Sequence, residues 1–254
     1  MAHTPPDTPD LKDLLDLASH AARQAGALAL GHYGGPLQAN TKGGDDPVTA
    51  ADLEADRHLR QVLLAACPGC GWLSEETADD PQRLQHARVW IVDPVDGTRE
   101  FVEGVAEWVV SVALVDAGEP VVGVIHNPVT GDLYAAVRGG GAFANGRRVF
   151  CTEPAGLRQA VLIVSRSETR RGEIQPFLPH LGQVRPVGSV AYKLALVASG
   201  TADLNASVQA KNEWDVCAGD LLIREAGGTM VDLDGQVRRY NQPDPLLRGG
   251  LVAG

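Results

Sequence analysis

Trp90-Ile91-Val92-Asp93-Pro94-Val95-Asp96-Gly97-Thr98 is the stretch around which the chain is organised. The apolar run from Val89 to Val92 predicts a buried strand that stops at an acidic turn, because Pro94 has no N–H to donate to a ladder. Two carboxylates therefore leave the end of one strand together. Gly97 and Thr98 follow, and residues 99–103 predict the start of a short helix whose amides face whatever the carboxylates hold. Amides at a helix start bind phosphate oxygens. Two Asp three residues apart repel each other unless a cation sits between them, so the spacing points to a magnesium and phosphate site. Asp-Pro and Asp-Gly are also common turn formers, in which Asp93 and Asp96 merely cap the backbone. Asp-x-x-Asp by itself leaves both readings open.

Three further acidic pieces accompany it: Val48-Thr49-x-x-Asp52, Glu75-Glu76-Thr77 and Trp214-Asp215-x-x-x-Gly219. With the string Asp-Pro-x-Asp-Gly-Thr they resemble the signature of the lithium-sensitive, magnesium-dependent phosphomonoesterase superfamily, which includes inositol monophosphatase, fructose-1,6-bisphosphatase and the 3'(2'),5'-bisphosphate nucleotidases. The resemblance runs from about Leu11 to Asp234. It implies a layered αβαβα sandwich, the sugar-phosphatase fold; the residue pattern alone defends only a mixed α and β enzyme. It further implies one catalytic domain over residues 1–254, with residues 1–8 unstructured and two sheeted halves, roughly 9–150 and 151–254. Glu75, Asp93, Asp96 and Asp215, with the carbonyl of Val95, are the implied metal ligands. These are all oxygen donors, which select Mg²⁺ or Mn²⁺ over zinc, and two or three Mg²⁺ ions are expected. By the same resemblance Asp52 and Thr98 orient a metal-activated water, the amides of Gly97 and Thr98 hold the phosphate, and Asp215 also faces the substrate. No covalent intermediate is needed.

The substrate expectation rests on finer likeness. Arg99-Glu100-Phe101 carries Glu where inositol monophosphatases and fructose bisphosphatases typically carry Asn. Glu100, Glu107-Trp108, Ser165-Arg166-Ser167, Gly188-Ser189 and Lys193 resemble the CysQ type of bisphosphate nucleotidase. That likeness implies hydrolysis of the 3'-phosphate of adenosine 3',5'-bisphosphate to AMP, with Ser189 and Lys193 in the nucleotide-binding segment. A second phosphate needs a cation away from the metals, for which Lys193 and Arg166 are the candidates. Inositol 1-phosphate and fructose 1,6-bisphosphate are the alternative substrates, and a non-catalytic metal- or phosphate-binding regulator is the alternative class.

The 254 residues, 44% hydrophobic, suffice for a sizeable core, and a formal charge of −10 disfavours nucleic acid or an anionic membrane as partner. A small phosphorylated metabolite is the expected partner, and both monomer and homodimer stay open. No signal-peptide pattern opens the chain and no apolar run approaches the ~20 residues that span a bilayer, so the expectation is a cytoplasmic protein. His-Glu-x-x-His, Gly-x-Ser-x-Gly and Walker A motifs are all absent, and Gly139-Gly140-Gly141 reads as a turn. Cys67-Pro68-Gly69-Cys70 reads as a structural turn, incidentally oxidisable, and Cys151 and Cys217 as packing residues.

Periodicity predicts helices from about Thr8 to Gly34, from Thr49 to Ala66, from Thr169 to His180, from Val190 to Ser199 and from Val216 to Ala226, with Asp215 at the N-cap of the last. Strands are expected at 108–115, 121–125, 133–137, 161–164, 202–206 and 229–233, the region from Trp108 to Val149 forming a mostly antiparallel sheet with a tight hairpin at Asn145-Gly146.

Overall fold

The structure is a computed structural model and describes residues 10–34, 40–41, 47–48 and 50–254; the segment expected to be unstructured, 1–8, and Thr49 lie outside them. Helix α1 (Leu11–Leu30) turns Leu14, Ala18, Ala21, Ala22, Ala25 and Ala29 inward, the three-and-four spacing of one helical face. A two-residue ladder pairs β1 (Asn40–Thr41) with β2 (Pro47–Val48), and α2 (Ala50–Ala66) follows. Both helices pack on one face of a seven-stranded sheet. Its strands lie side by side in chain order: β3 (Gly71–Ser74), β4 (Arg88–Asp96), β5 (Val109–Asp116), β6 (Glu119–His126), β7 (Leu133–Val137), β8 (Gly141–Ala144) and β9 (Arg147–Val149). All neighbours are antiparallel except β3 and β4. Trp90, Val92, Val112, Leu114 and Val124 fill the space under the helices. Asn145 and Gly146 both adopt positive φ, as a two-residue hairpin requires. The Gly139–Gly141 turn is held by a carboxylate of the protein itself, because Glu225 accepts the amides of Gly139 and Gly141 at 2.7 Å each.

After the short helix α3 (Thr98–Val102) and the rest of this sheet, the second half builds a five-stranded sheet. It comprises β10 (Val161–Ser165), β11 (Gln183–Val187), β12 (Leu204–Ser207), β14 (Met230–Val231) and β16 (Leu251–Ala253), in the order β11-β10-β12-β16-β14. A small ladder joins β13 (Lys211–Asn212) to β15 (Leu246–Leu247). Helix α4 (Arg166–Arg170) follows β10, and α5 (Val190–Ala198) and α6 (Glu213–Glu225) fill the space between the two sheets. Leu194, Val197, Leu221, Leu222 and Ile223 belong to that inner core. The far face of the small sheet buries Leu162 and Val164 against Ile174 and Leu181. The layers are therefore α1 and α2, the large sheet, α5 and α6, the small sheet, and an outer helical layer, the αβαβα order expected. Backbone meets backbone where α6 lies on β6: a Cβ on Gly123 would stand 2.8 Å from the Ala218 carbonyl oxygen.

Several local expectations need correction. Strand β4 does not stop at Pro94 but runs on to Asp96 through a bulge. Residues 169–180 are not one helix; α4 ends at Arg170, Gly172 takes φ 76°, and a separate 3-10 turn spans Gln175–His180, because Gly172 and two prolines break the run. Helix α6 begins at Glu213 with Asn212 as its N-cap, which makes Asp215 the third helical residue rather than the cap. Leu53 is 45% exposed, and the inward face of α2 instead carries Asp52 and Asp56 beside Ala55 and Leu59. Cys67 and Cys70 close the α2–β3 turn as a disulfide, while burial pushes the thiols of Cys151 and Cys217 up in pKa, in keeping with packing roles. No described helix is long and apolar enough to cross a membrane.

Candidate active site

The β4 bulge builds the centre of the site. Asp93 pairs with Ser111 and Asp96 with Val109, so three steps along β4 oppose two along β5. In a regular strand residues three apart face opposite sides; the extra residue reverses that parity and sends both carboxylates the same way. Pro94 is tolerated because it sits on the bulge. Oxygens of Asp93, Asp96 and Asp215 come within 4.8 Å of one another, Asp215 arriving from the first turn of α6. Glu75 stands just beyond β3, its amide bound to the Val92 carbonyl at 3.3 Å.

These carboxylates are held by neutral donors and crowd each other. Asp93 accepts the Val95 amide at 3.0 Å, Asp215 the Asn212 amide at 2.7 Å, and one oxygen of Asp96 takes both the Ser189 hydroxyl and the Ala191 amide at 2.5 Å. Burial first, then the charges of Glu75, Asp96, Asp215 and Asp52, push Asp93 well above the usual carboxylate range. Asp215 is raised by burial and by Asp96 and Glu75, against the opposing Asn212 amide. A buried cluster of like charges is costly unless a cation joins it. An all-oxygen donor set of this kind suits Mg²⁺ or Mn²⁺, and the residues present fit such an ion.

Gly97 leaves the bulge at φ 99°, and a Cβ there would lie 2.9 Å from the Glu107 carbonyl oxygen, so glycine is required. It starts α3, where the first amides have no partner within the helix. The Thr98 hydroxyl, which the resemblance pairs with Asp52, donates to the Val95 carbonyl at 3.1 Å. Asp52, buried in the first turn of α2, is close enough for its charge to act on Asp93.

A cleft of about 420 Å³ opens over this floor. Its second wall comes from the other half of the chain and carries Ser165, Ser167, Glu168, Arg171, Gln209 and Lys211. The Lys211 ammonium donates to the Ser207 hydroxyl at 2.7 Å, which in turn donates to Glu168 at 2.5 Å; burial lowers the Lys211 pKa, against Glu168, Asp215 and Asp96. Sequence reasoning passed over Arg171 and Lys211, and the only local signal was the position of Lys211 shortly before Trp214-Asp215.

The two cations chosen from sequence already have acceptors, as does Arg171, which forks onto Glu173 at 2.6 and 3.3 Å; Lys193 still lines the cleft, and Arg166 does not. Arg166 forks onto Glu107 at 2.9 and 2.6 Å, and the same Glu107 oxygen accepts the Gly188 amide at 2.6 Å. Lys193 is 2% exposed and gives its ammonium to the carbonyls of Ser189 at 2.5 Å and Val187 at 3.4 Å; burial lowers its pKa to about 8. Ser189 caps α5 while donating to Asp96. A Cβ on Gly188 would strike Glu100 at 2.4 Å; Glu100, Gly188, Ser189 and Lys193 line the cleft, with Glu107 and Arg166 bound behind Gly188.

The sequence model of the inositol monophosphatase family matches residues 10–254. The chain belongs to this family. It is 37% identical to an inositol-1-monophosphatase of Rhizobium meliloti over 95% of this chain and 91% of that one. It is 33% identical to the 3'(2'),5'-bisphosphate nucleotidase CysQ of Shigella flexneri over 94% of this chain and 98% of that one. Among solved structures it is similar to the suhB protein of Bartonella henselae, with a TM-score of 0.84 and 32% identity over 95% and 93% of the two chains. This inositol monophosphatase family member is accordingly a phosphoric monoester hydrolase that also resembles CysQ, and the acidic floor is its candidate active site.

Proposed function

We propose that the chain is a magnesium-dependent phosphatase that removes the 3'-phosphate of adenosine 3',5'-bisphosphate, giving AMP and inorganic phosphate. The observation that carries this reading is the pairing, in one cleft, of a carboxylate floor with Arg171 and Lys211 on the facing wall. A monophosphate needs only the floor; a substrate with a second phosphate gains charge-assisted hydrogen bonds from the wall. Magnesium, when bound, supplies positive charge to the phosphate oxygens and lowers the pKa of water. Glu75, Asp93, Asp96, Asp215 and the Val95 carbonyl hold it. Asp52 and Thr98 orient the water, whose proton passes to the Asp52 carboxylate, and the amides of Gly97 and Thr98 receive the phosphate. Water attacks phosphorus, the bond to the ribose 3' oxygen breaks, and that oxygen leaves as the alcohol.

Hydrolysis of inositol 1-phosphate is the second reading, favoured by a cleft whose lining carries, among the described residues, no aromatic side chain on which a base would stack. Measuring kcat/KM for adenosine 3',5'-bisphosphate, inositol 1-phosphate and fructose 1,6-bisphosphate side by side decides between them. The nucleotide should lead. A tenfold preference for inositol 1-phosphate, about 1.4 kcal/mol of transition-state discrimination, overturns the nucleotide reading, and full turnover in excess chelator overturns the metal mechanism.

A further inference from the structure

Asp56 stands one helical turn after Asp52 on α2, 5% exposed, with its carboxylate turned inward. Both of its oxygens serve a single short segment: one accepts the Ser74 hydroxyl at 2.5 Å, the other the Thr77 hydroxyl at 2.7 Å. Those two hydroxyls flank Glu75-Glu76 on either side. Having given its proton to Asp56, the Ser74 oxygen accepts the Glu76 amide at 3.3 Å. We infer that Asp56 is a positioning residue that fixes the backbone carrying Glu75, and with it the Glu75 carboxylate, for the divalent metal. The inference rests on the phosphatase reading of the site.

The argument is one of order. Ladder pairing of β3 with β4 ends at Ser74 and Val92, so beyond the single bond from the Glu75 amide to the Val92 carbonyl the sheet no longer holds the 75–77 segment. Fixing the backbone of a residue and the rotamers of a Glu side chain both cost conformational entropy. A ligand on a loosely held segment would meet that cost when the metal binds; Asp56 has met it in the fold. A clamp made of one carboxylate and two hydroxyls also links Glu75 to α2, the helix that carries Asp52, so two parts of the site keep a fixed relation. Among the described residues Asp56 has no cation as a hydrogen-bond partner, and a surface acid with a capping role would not be buried or spend both oxygens on residues 18 and 21 positions away.

The test compares Asp56→Asn, Thr77→Val, Thr77→Ser and Glu75→Ala with the wild type by calorimetric titration of Mn²⁺ into metal-free protein, without substrate. Activity against Mg²⁺ concentration is then measured on the same samples. Asn cannot accept both hydroxyl protons, so Asp56→Asn should weaken Mn²⁺ binding by about 10- to 100-fold, the range for groups that orient ligands. The Mg²⁺ midpoint should shift by a similar factor, while kcat at saturating Mg²⁺ recovers to within about threefold. Thr77→Val should move the same way by less, and Thr77→Ser, which restores the hydroxyl, should match the wild type. Unchanged Mn²⁺ affinity in Asp56→Asn overturns the proposal; should that variant not fold, unchanged affinity in Thr77→Val does so instead. A wild type that takes up no Mn²⁺ removes the metal site and the proposal together. Binding that Glu75→Ala weakens and Asp56→Asn does not overturns the proposal alone.

Discussion

Glu213 shows how much one buried carboxylate can decide at the residue scale. It accepts the amides of Asn241 and Gln242 at 2.6 and 2.8 Å, and Arg83 reaches the same turn from the first half of the chain, binding the Asn241 side chain at 2.6 Å and the Gln242 carbonyl at 2.8 Å. Burial raises the Glu213 pKa from the ordinary 4.5 to about 7, in spite of those amides and Arg83. The folded state thus binds this proton more tightly than the unfolded state does. The associated stability is fully present below about pH 4.5 and is lost as pH rises through about 7. A loss on the order of 3 kcal/mol corresponds to that shift. Glu213→Gln keeps an acceptor oxygen and cannot titrate, so urea melts from pH 4.5 to 7.5 should show a flatter stability profile than the wild type. Identical slopes would show that Glu213 does not titrate differently in the folded state. None of this was legible in the sequence, where Glu213 was one residue of a turn before Trp214-Asp215. Its partners lie 28 and 29 residues away and meet it only once β13 and β15 have paired.

At the scale of elements, the site depends on two local departures from regular structure: the β4 bulge and the close seating of α6 on β6. The bulge can be inferred from Pro94 only in part. Proline marks where the ladder must be irregular, but whether the strand ends or bulges depends on whether β5 offers a partner beyond it, and Val109 does. The contact of Gly123 with Ala218 was invisible in sequence, because a glycine inside an apolar strand has many uses. Gly123→Ala should push α6 away from β6 and cost about 1–3 kcal/mol, as overpacking does. Because α6 carries Asp215, kcat should fall as well. A urea midpoint and a kcat both equal to wild type would show that the helix yields without consequence. Helix ends were misjudged for a related reason: the apolar periodicity of α6 starts at Val216, yet Asn212 and Asp215 form a capping box that sets its first turn earlier.

For the whole molecule, the halves meet at a cleft that puts acidic ligands from β4 and α6 opposite the wall formed by β10, α4 and β13. A cation bound there links segments distant in sequence and binds the folded chain only, so saturating Mg²⁺ should raise the melting temperature by mass action. Asp96→Asn should remove most of that rise and abolish turnover while the metal-free protein melts near the wild type. A rise as large as in the wild type would take Asp96 out of the metal site. The sequence by itself determined the family, because the Asp-Pro-x-Asp-Gly-Thr string, the Glu-Glu pair and the Trp-Asp element are each contiguous, and the layer order followed from that resemblance, whereas local strand and helix periodicity supports only a mixed α and β chain. Only the tertiary structure decided which charges line the cleft and which acceptors hold them. Arg166 and Lys193 look equally available in a linear reading, but Arg166 is bound to Glu107 outside the cleft lining, whereas Lys193, on the Ser189 and Val187 carbonyls, Arg171, forked onto Glu173, and Lys211, on Ser207, all line the cleft. Whether a cation faces a cleft or a buried acceptor depends on contacts between segments tens of residues apart, and the spacing of residues along a chain does not encode them.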